Sequence, residues 1–508
     1  MGTAPLLLIV LQLLLLHLPH LLAALPKNLV QNFISKHADF SVDPCYDFYA
    51  HVCPVGTNNT FFKDLVQIKK NNVKAFKERS PIHDIFVEED TEVRMQSLNK
   101  LLQSDVKLDK LCTEDLEWFD RFVCYLTTTT WTRPLPCDEF LEMSCEAKVK
   151  AIVTRDPPSS ENYMTARYSL SLAWDAYLAY KHVSSLDGKA RNLYQKLKKA
   201  VGNTIKQTPW AKKKNVVNRY LKALDDIKFT TFADLANVTF STMNFYKSVA
   251  NKCEKGLAGR YAADVKTVFC DVIATGSALE FLEEPTKNVY PFDKASILRD
   301  STQIFNSEDD RIYMGNDMML LLNTDYPSDL FGTIGWSLTH EIMHTFVFDH
   351  MDQNRTLAPF WTKKAGCVKE QTLKTCRNFP TIPCDTKSTF EEDAADLLAY
   401  RIVWDLYQKA YTRKTKVQNY ESLDKKQLFF YGAAVVFCQT EGMEQKMTSG
   451  DVHSNAYQRV NSLMSQMDEF SNAFSCKPTD RMVQNKGTHC DLYGPKAPLT
   501  RKSSNNLS

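Results

Sequence analysis

The sequence lacks an excess of charge of either sign: 62 Lys and Arg face 60 Asp and Glu, for a formal net charge of +2. So even a balance carries no electrostatic footprint for nucleic acid or an anionic membrane surface, and predicts neither as a partner. The short basic run Lys212-Lys213-Lys214 reads as a solvated helix face. No CxxC pair occurs, which removes the usual spacing of a structural zinc finger. No internal repeat is visible, which excludes a solenoid or a propeller. Beyond the N-terminus no segment is long and apolar enough to span a bilayer, so no stable membrane span is expected.

What is present begins with Leu6 to Leu16, almost wholly apolar and followed by Ala23 and Ala24. This pattern reads as a signal peptide over 1–24, cleaved near Ala24, and predicts a secreted, extracellular protein. No Lys or Arg precedes the run and Leu22 sits three positions before the cut, so an uncleaved signal anchor, giving a type II membrane protein, stays as the alternative. Gln12, His17, Pro19 and His20 count against it, because they interrupt the stretch and are costly in hydrocarbon. The chain has 14 cysteines, an even number that behind a signal peptide reads as disulfides. Asn58, Asn237, Asn354 and Asn506 each open an Asn-x-Ser/Thr sequon; the first three are candidate glycosylation sites.

At 508 residues the chain exceeds what one compact core usually absorbs, which predicts two lobes. Residues 25 to 60 read as loop. From about Val87 to Lys287 the text is mainly helical: Leu193, Leu197 and Val201 recur every four residues within Ser185 to Thr204, and Val216, Tyr220 and Leu224 do so in a stretch starting near Trp210. The run Thr127 to Thr130 with Pro134 and Pro136 marks a break. Near residue 300 the texture changes. Arg311-Ile-Tyr-Met314 has strand character. Gly332 to Phe348 reads as a helix with Ile334, Leu338, Ile342 and Phe346 on one buried face. Ala365 to Thr386, polar and containing Pro and Cys, reads as a loop. A further helix starts near Phe390, and the Ser/Asn-rich tail after Cys490 reads as disordered.

The helix over Gly332 to Phe348 carries His340-Glu-Ile-Met-His344. Two histidines four apart share one helix face, so both imidazoles can reach one Zn²⁺ at roughly 2 Å. Glu341 projects to the side, where a carboxylate can take a proton from a zinc-activated water and return it to the leaving amine. The string alone should arise by chance in roughly one such chain in a hundred. The blander reading, a surface helix with two satisfied histidines, loses ground because the apolar stripe on another face predicts burial, and buried histidines need partners.

Zinc needs a third ligand. Glu392 and Asp396, i and i+4 in Glu392-Asp-Ala-Ala-Asp396, share a helix face. Glu392 can bind the metal while Asp396 holds the free ring N–H of a ligand histidine. Thr389-x-x-Glu392 and Ser388-x-x-Glu391 also fit capping boxes, which leaves Glu392 as a helix cap open. A genuine HExxH favours the ligand.

These residues resemble the neprilysin family of zinc metallopeptidases, which includes the endothelin-converting enzymes. Gly332-Thr-Ile-Gly335 ahead of the HExxH, and Glu392 to Asp396, look like that family's elements. Lys426-Gln-Leu-Phe-Phe430, Cys438, Asp451-Val-His453-Ser454, Phe470-Ser-Asn-Ala-Phe-Ser-Cys476 and Cys490 follow in its order. Pro44-Cys-Tyr-Asp-Phe-Tyr-Ala-His-Val-Cys53 is similar to its opening signature. The match covers about residues 300 to 490 plus 44 to 53. The resemblance implies that His453 donates to the tetrahedral oxyanion and that Arg459 binds the substrate carbonyl. It also implies disulfides Cys45–Cys476, Cys53–Cys438 and Cys376–Cys490. Cys367 and Cys384 then remain as a candidate pair. Cys112, Cys124, Cys137, Cys145, Cys253 and Cys270 are left to bridge within the helical lobe, in pairings the sequence does not fix.

The chain also departs from the family's pattern. Its substrate-clamping Asn-Ala pair falls on Thr302-Gln303 in an ungapped alignment, or on Asn306-Ser307 if the loop is shorter. Trp336 and Ser337 stand where aliphatic residues usually line the pocket, which implies a smaller primed-side pocket. Pro54 replaces a usual glycine, and the stretch between Cys45 and His340 is short. The predicted fold is mainly α with a small β element and two lobes: a thermolysin-like zinc-peptidase core and a reduced helical lobe. Its expected parts are an N-terminal segment over 25–61 tied to the catalytic lobe, the helical lobe over 62–285, the catalytic lobe over 286–490 and a flexible tail over 491–508. The predicted function is a secreted endopeptidase with one Zn²⁺ per chain, acting on small extracellular peptides, with Glu341, His453 and Asp396 in the chemistry. The alternative is a secreted binding protein on the same scaffold, weak or inactive as an enzyme. The departures support it; the presence of Glu341, which binders have no use for, opposes it.

Overall fold

A computed structural model of the chain describes residues 25–53, 61–77, 137–142, 160–212, 216–256, 304–307, 310–347, 358–379, 389–412, 423–438 and 453–494, with short pieces between 267 and 282. The expected signal peptide over 1–24, Thr127 to Thr130, Thr302-Gln303, Asn58, Asn354, Cys112, Cys124, Cys145, Cys384 and the tail from 495 lie outside these residues.

The chain divides into two compact units. One is formed by Met1–Ile68, His182–Thr230 and Thr302–Ser508, the other by Lys69–Lys181 and Thr231–Ser301. Residues 182–230, which the sequence reading puts in the 62–285 stretch, thus pack with the unit that holds His340. The second unit contains the helices Ser160–Val183 and Ala233–Gly256 and the disulfide Cys253–Cys270. Asn237 is exposed on the latter helix. Among the described residues the fold is mainly helical with one small sheet, as predicted.

In the first unit the N-terminal stretch is helical, not loop. Helix α1 (Leu29–His37) buries Val30, Phe33 and Ile34, and α2 (Phe48–Val52) is capped by Asp47, which accepts from the Ala50 N–H at 3.1 Å. Val30, Phe33 and Ile34 follow the helical i, i+3, i+4 spacing, but both helices are short, and burial against the rest of the unit fixes them. Helix α3 (Asp187–Gln207) and α4 (Val216–Asp226) bury the predicted residues, with Trp210 in the turn before α4, donating to the Leu492 carbonyl at 2.9 Å. Strands β1 (Lys228–Thr231), β2 (Ile304–Ser307) and β3 (Arg311–Met314) form a sheet ordered β1-β3-β2. β2 runs antiparallel to β3, from Ile304 opposite Met314 to Ser307 opposite Arg311. Central β3 buries Ile312, Tyr313 and Met314 completely. The pair Asn306-Ser307 therefore lies on an outer strand of this sheet.

The histidine-bearing helix does not start at Gly332. Phe331–Gly335 forms a π-helical turn, and α5 (Trp336–Val347) follows. The turn is pressed onto α8, the Lys425–Val435 helix. A Cβ on Gly332 would meet the Phe429 carbonyl oxygen at 2.6 Å and the Ala433 nitrogen at 3.1 Å. Only glycine allows that approach.

The expected loop over 365–386 is largely wrong: α6 (Ala358–Asn378) runs through it. Its buried side is Val368, Gln371, Thr372 and Thr375, at helical spacing but mostly polar, so no apolar period marks it. Helix α7 (Phe390–Thr412) is buried on nearly every side from Ala394 to Trp404. The remaining helix used below is α9 (Ala456–Ser465).

Disulfides Cys45–Cys476 and Cys53–Cys438 are as the resemblance implies. Cys490 pairs with Cys367, which corrects the expected Cys376–Cys490 link. The last segment runs back along α6. Arg481 donates to the Asn378 carbonyl, Asn485 to Thr375, Lys374 to the Lys486 carbonyl, and Gly487 to Gln371. By residue 490 the chain has therefore passed Cys376 and drawn level with Cys367. Paired with Cys490, Cys367 is not left for Cys384, and Cys376 is itself disulfide-bonded.

Replacing Gly332 with Ala should destabilise the protein by about 1–3 kcal/mol, because backbone rather than a flexible side chain blocks the new methyl. Gly366→Ala, on α6 with nothing within 4 Å of its Cβ, should leave stability unchanged or raise it. Thermal unfolding of the two variants against wild type checks this.

Candidate metal centre

The site is built where α5 and α7 pack together. Both helices are buried almost all round, so the polar side chains they place at their contact must satisfy one another. His340 and His344 project from successive turns of α5 with their Nε2 atoms 3.0 Å apart. From α7, Glu392 sets Oε2 3.1 Å from His340 Nε2 and Oε1 3.5 Å from His344 Nε2. All three are buried, and one ligand atom from each lies within 4.8 Å of the others. Donors at 2.0–2.1 Å from a tetrahedral zinc stand roughly 3.3 Å apart. The convergence of two ring nitrogens and a carboxylate oxygen therefore fits Zn²⁺ in both spacing and donor type. The carboxylate of Glu392 turns to the imidazoles; the hydroxyl that pairs near the start of α7 is that of Thr389, with Asp393 at 3.3 Å.

Behind His340 stands Asp396, with no exposed surface. Its Oδ1 is 2.8 Å from His340 Nδ1, which directs Nε2 forward. Arg459, on α9, grips the same carboxylate with two parallel bonds, Nε to Oδ2 at 2.7 Å and Nη2 to Oδ1 at 2.8 Å. The guanidinium also lies 4.8 Å from the Phe437 ring centre and 4.0 Å from Glu392 Oε2. Two of its five N–H donors thus go to Asp396. His453 sits just ahead of α9 with Nε2 3.3 Å from Glu392 Oε2 and 47% of its side chain exposed. Glu341 is half-buried beside the pair, with Oε2 4.0 Å from His344 Nε2. Trp336, one turn before His340, stacks on Tyr400 and abuts Phe437 and the His340 ring. The structure thus brings Glu341, Asp396, His453 and Arg459 together around His340, His344 and Glu392.

The electrostatics favour a cation held among these groups. Burial of His340 opposes its charge, yet Asp396 and Glu392 outweigh burial and lift its pKa to about 10. His344 falls to about 3 through burial and the charge on His340. Burial would raise Glu392, but hydrogen bonds from His340 and His453 hold it well below the usual carboxylate range. Burial likewise opposes the charge of Asp396, and Arg459 and His340 keep it ionised. Two carboxylates kept anionic against burial, facing two imidazoles that together accept one proton, form a donor set suited to a positive ion.

Sequence reasoning missed Asp393 and the α6 brace. Thr372 on α6, Thr389 and Ser454 all donate to Asp393 Oδ2, at 2.8, 3.3 and 3.1 Å. The only signal was a second acidic residue beside Glu392, with no sequence cue for its partners.

Residues 318–490 match the family model described as Peptidase family M13. Over 176 residues the chain is 30% identical to Neprilysin-1 of Caenorhabditis elegans, covering 30% of this chain and 23% of that protein. It is 27% identical over 175 residues to Endothelin-converting enzyme 1 of Mus musculus, covering 32% of this chain and 22% of that one. The matched part is thus less than a quarter of the length of these relatives. Among solved structures, the Haemonchus galactose containing glycoprotein complex shares the fold with a TM-score of 0.52 at 13% identity, over 89% of this chain and 96% of that one. The resemblance to the neprilysin family drawn from the motifs is borne out.

Purified protein should carry about one zinc per chain, and Glu392→Gln should lose far more of it than Glu391→Gln. Asp396→Asn should weaken zinc binding by about 10–100-fold, the usual cost of losing a partner that orients a ligand histidine. Metal content after graded chelator dialysis reads both.

Proposed function

We propose that this chain, whose residues 318–490 belong to peptidase family M13, is a zinc-dependent endopeptidase that cleaves small peptides outside the cell. The observation that carries the reading is the joint placement of Glu341, His453 and Arg459 around the His340–His344–Glu392 cluster. A metal site of purely structural purpose has no use for a half-buried carboxylate set beside the ligands rather than among them.

Bound through His340, His344 and Glu392, zinc would polarise the scissile carbonyl and acidify a water. The chain's own residues do the rest. Glu341 takes the water's proton as the oxygen adds to the carbonyl carbon, then passes it to the amide nitrogen as the C–N bond breaks. His453, exposed on the open side, donates to the oxygen that becomes anionic. Arg459 fixes Asp396 and through it the ring of His340; any remaining N–H is available to the substrate carbonyl. The outer strand β2, with Asn306-Ser307, offers backbone groups to an extended peptide. Trp336 and Phe437 fill the space beside His340 with rings, which favours a small substrate side chain next to the scissile bond. Disulfides formed by cysteines from both chain ends support an oxidising, extracellular setting.

Glu341→Gln tests the reading. The variant should keep its zinc and its unfolding midpoint and lose peptide hydrolysis by several orders of magnitude, in a mixed peptide library read by mass spectrometry. If wild type and variant are equally inert over a broad library, the scaffold is a binding protein.

A further inference from the structure

The proposed chemistry rests on His453, yet its ring is half exposed and hangs from a stretch that is neither helix nor strand. Something must fix the backbone beneath it if the ring is to meet a developing oxyanion within hydrogen-bond distance.

We propose that Asp393 is the positioning residue for His453, acting through Ser454. Asp393 follows Glu392 in the chain and, one residue on along α7, projects about 100° round the helix from it. Glu392 faces the imidazoles; Asp393 faces α6 and the approach to α9. There its Oδ2 accepts three hydroxyls, from Thr372 of α6, from Thr389 at the start of α7 and from Ser454. The negative charge of a carboxylate strengthens each of these bonds, where an amide oxygen is neutral and brings donors of its own. Ser454 is 3% exposed and is the direct neighbour of His453. The next residue, Asn455, caps α9 by accepting from the Gln458 N–H at 2.9 Å. The backbone is therefore pinned at two consecutive residues immediately after His453. One pin ties it to the residue after the third metal ligand. A single hydroxyl–carboxylate bond thus links the backbone that presents Glu392 to the backbone that presents His453. That link fixes the backbone beneath the ring, whose Nε2 then meets Glu392 Oε2 at 3.3 Å.

The inference rests on the peptidase reading, so the test includes a measurement that needs no turnover. Ser454→Ala, Asp393→Ala and Asp393→Asn are made in the zinc-loaded full chain, alone and with His453→Ala. Two zinc-binding peptide inhibitors of one sequence are compared: a phosphonate, whose second oxygen imitates the tetrahedral oxyanion, and a thiol, which lacks it. Positioning predicts that Ser454→Ala and Asp393→Ala lower kcat by on the order of tenfold or more at unchanged KM and zinc content. Phosphonate affinity should fall in step with kcat while thiol affinity holds. Asp393→Asn should recover part of the loss. In the His453→Ala background none of the substitutions should lower kcat or phosphonate affinity further. Equal losses for both inhibitors, losses that add to that of His453→Ala, or zinc loss that accounts for the whole effect would each overturn the proposal. Ser454→Ala removes one hydroxyl and keeps the test alive if Asp393→Ala does not fold. If wild type cleaves nothing, the peptidase reading fails while the inhibitor pair still decides the positioning.

Discussion

The carboxylate of Asp396 is the interaction on which the rest of the site depends. It is fully buried, and no carboxylate keeps its charge there without partners. His340 takes one side and Arg459 the other. Each in turn depends on it: Arg459 would be a buried, uncompensated cation without it, and His340 would be free to turn its Nε2 away from Glu392. Breaking a pair of this kind typically costs about 3–5 kcal/mol because one charge is stranded. The triad therefore explains why α5, α7 and α9, which come from distant parts of the sequence, can meet in only one register.

A second constraint gathers the chain ends. Cys45–Cys476 and Cys53–Cys438 tie the N-terminal segment to residues nearly four hundred or more positions away. Between them the Asp47 carboxylate accepts from Asn461 at 3.1 Å and from Tyr457, and Asn461 accepts from the Tyr49 N–H. All of these land on α9 or beside it, the helix that carries Arg459. Loops of such length lose on the order of 6 kcal/mol of unfolded-chain entropy per bridge in the simplest treatment, less where bridges share a loop. The cross-links hold the segment whose Asp47 and Tyr49 bond to α9, the helix that carries Arg459, so covalent and electrostatic restraint reinforce each other.

How much of this is legible in the sequence follows from which residues carry a pattern. His340, His344, Glu392 and Asp396 sit at i, i+4 spacing, and that spacing survives any packing detail. The strand at Arg311 announces itself by its residue types, and the helices α3 and α4 by apolar periodicity. Helix α6 does not, because its inner face is Gln371, Thr372 and Thr375, satisfied by Asn485, Asp393 and Ser462 rather than by apolar contact. A helix whose buried face is polar reads as a loop until its partners are known. The Cys367–Cys490 bridge depends on how far the C-terminal segment advances along α6, which no spacing in the sequence encodes. The start of α5 lies a few residues later than the sequence suggests for a related reason: Gly332 marks a close approach to α8, not helix interior.

The central claim is that one zinc ion is held by His340, His344 and Glu392. X-ray absorption at the zinc edge of the purified protein tests it most directly. The account predicts two imidazole nitrogens at about 2.0–2.1 Å and light-atom oxygen donors at about 2.0–2.2 Å, with the oxygen contribution altered in Glu392→Gln. A shell dominated by sulfur at about 2.3 Å, or a spectrum unchanged by Glu392→Gln, would contradict it.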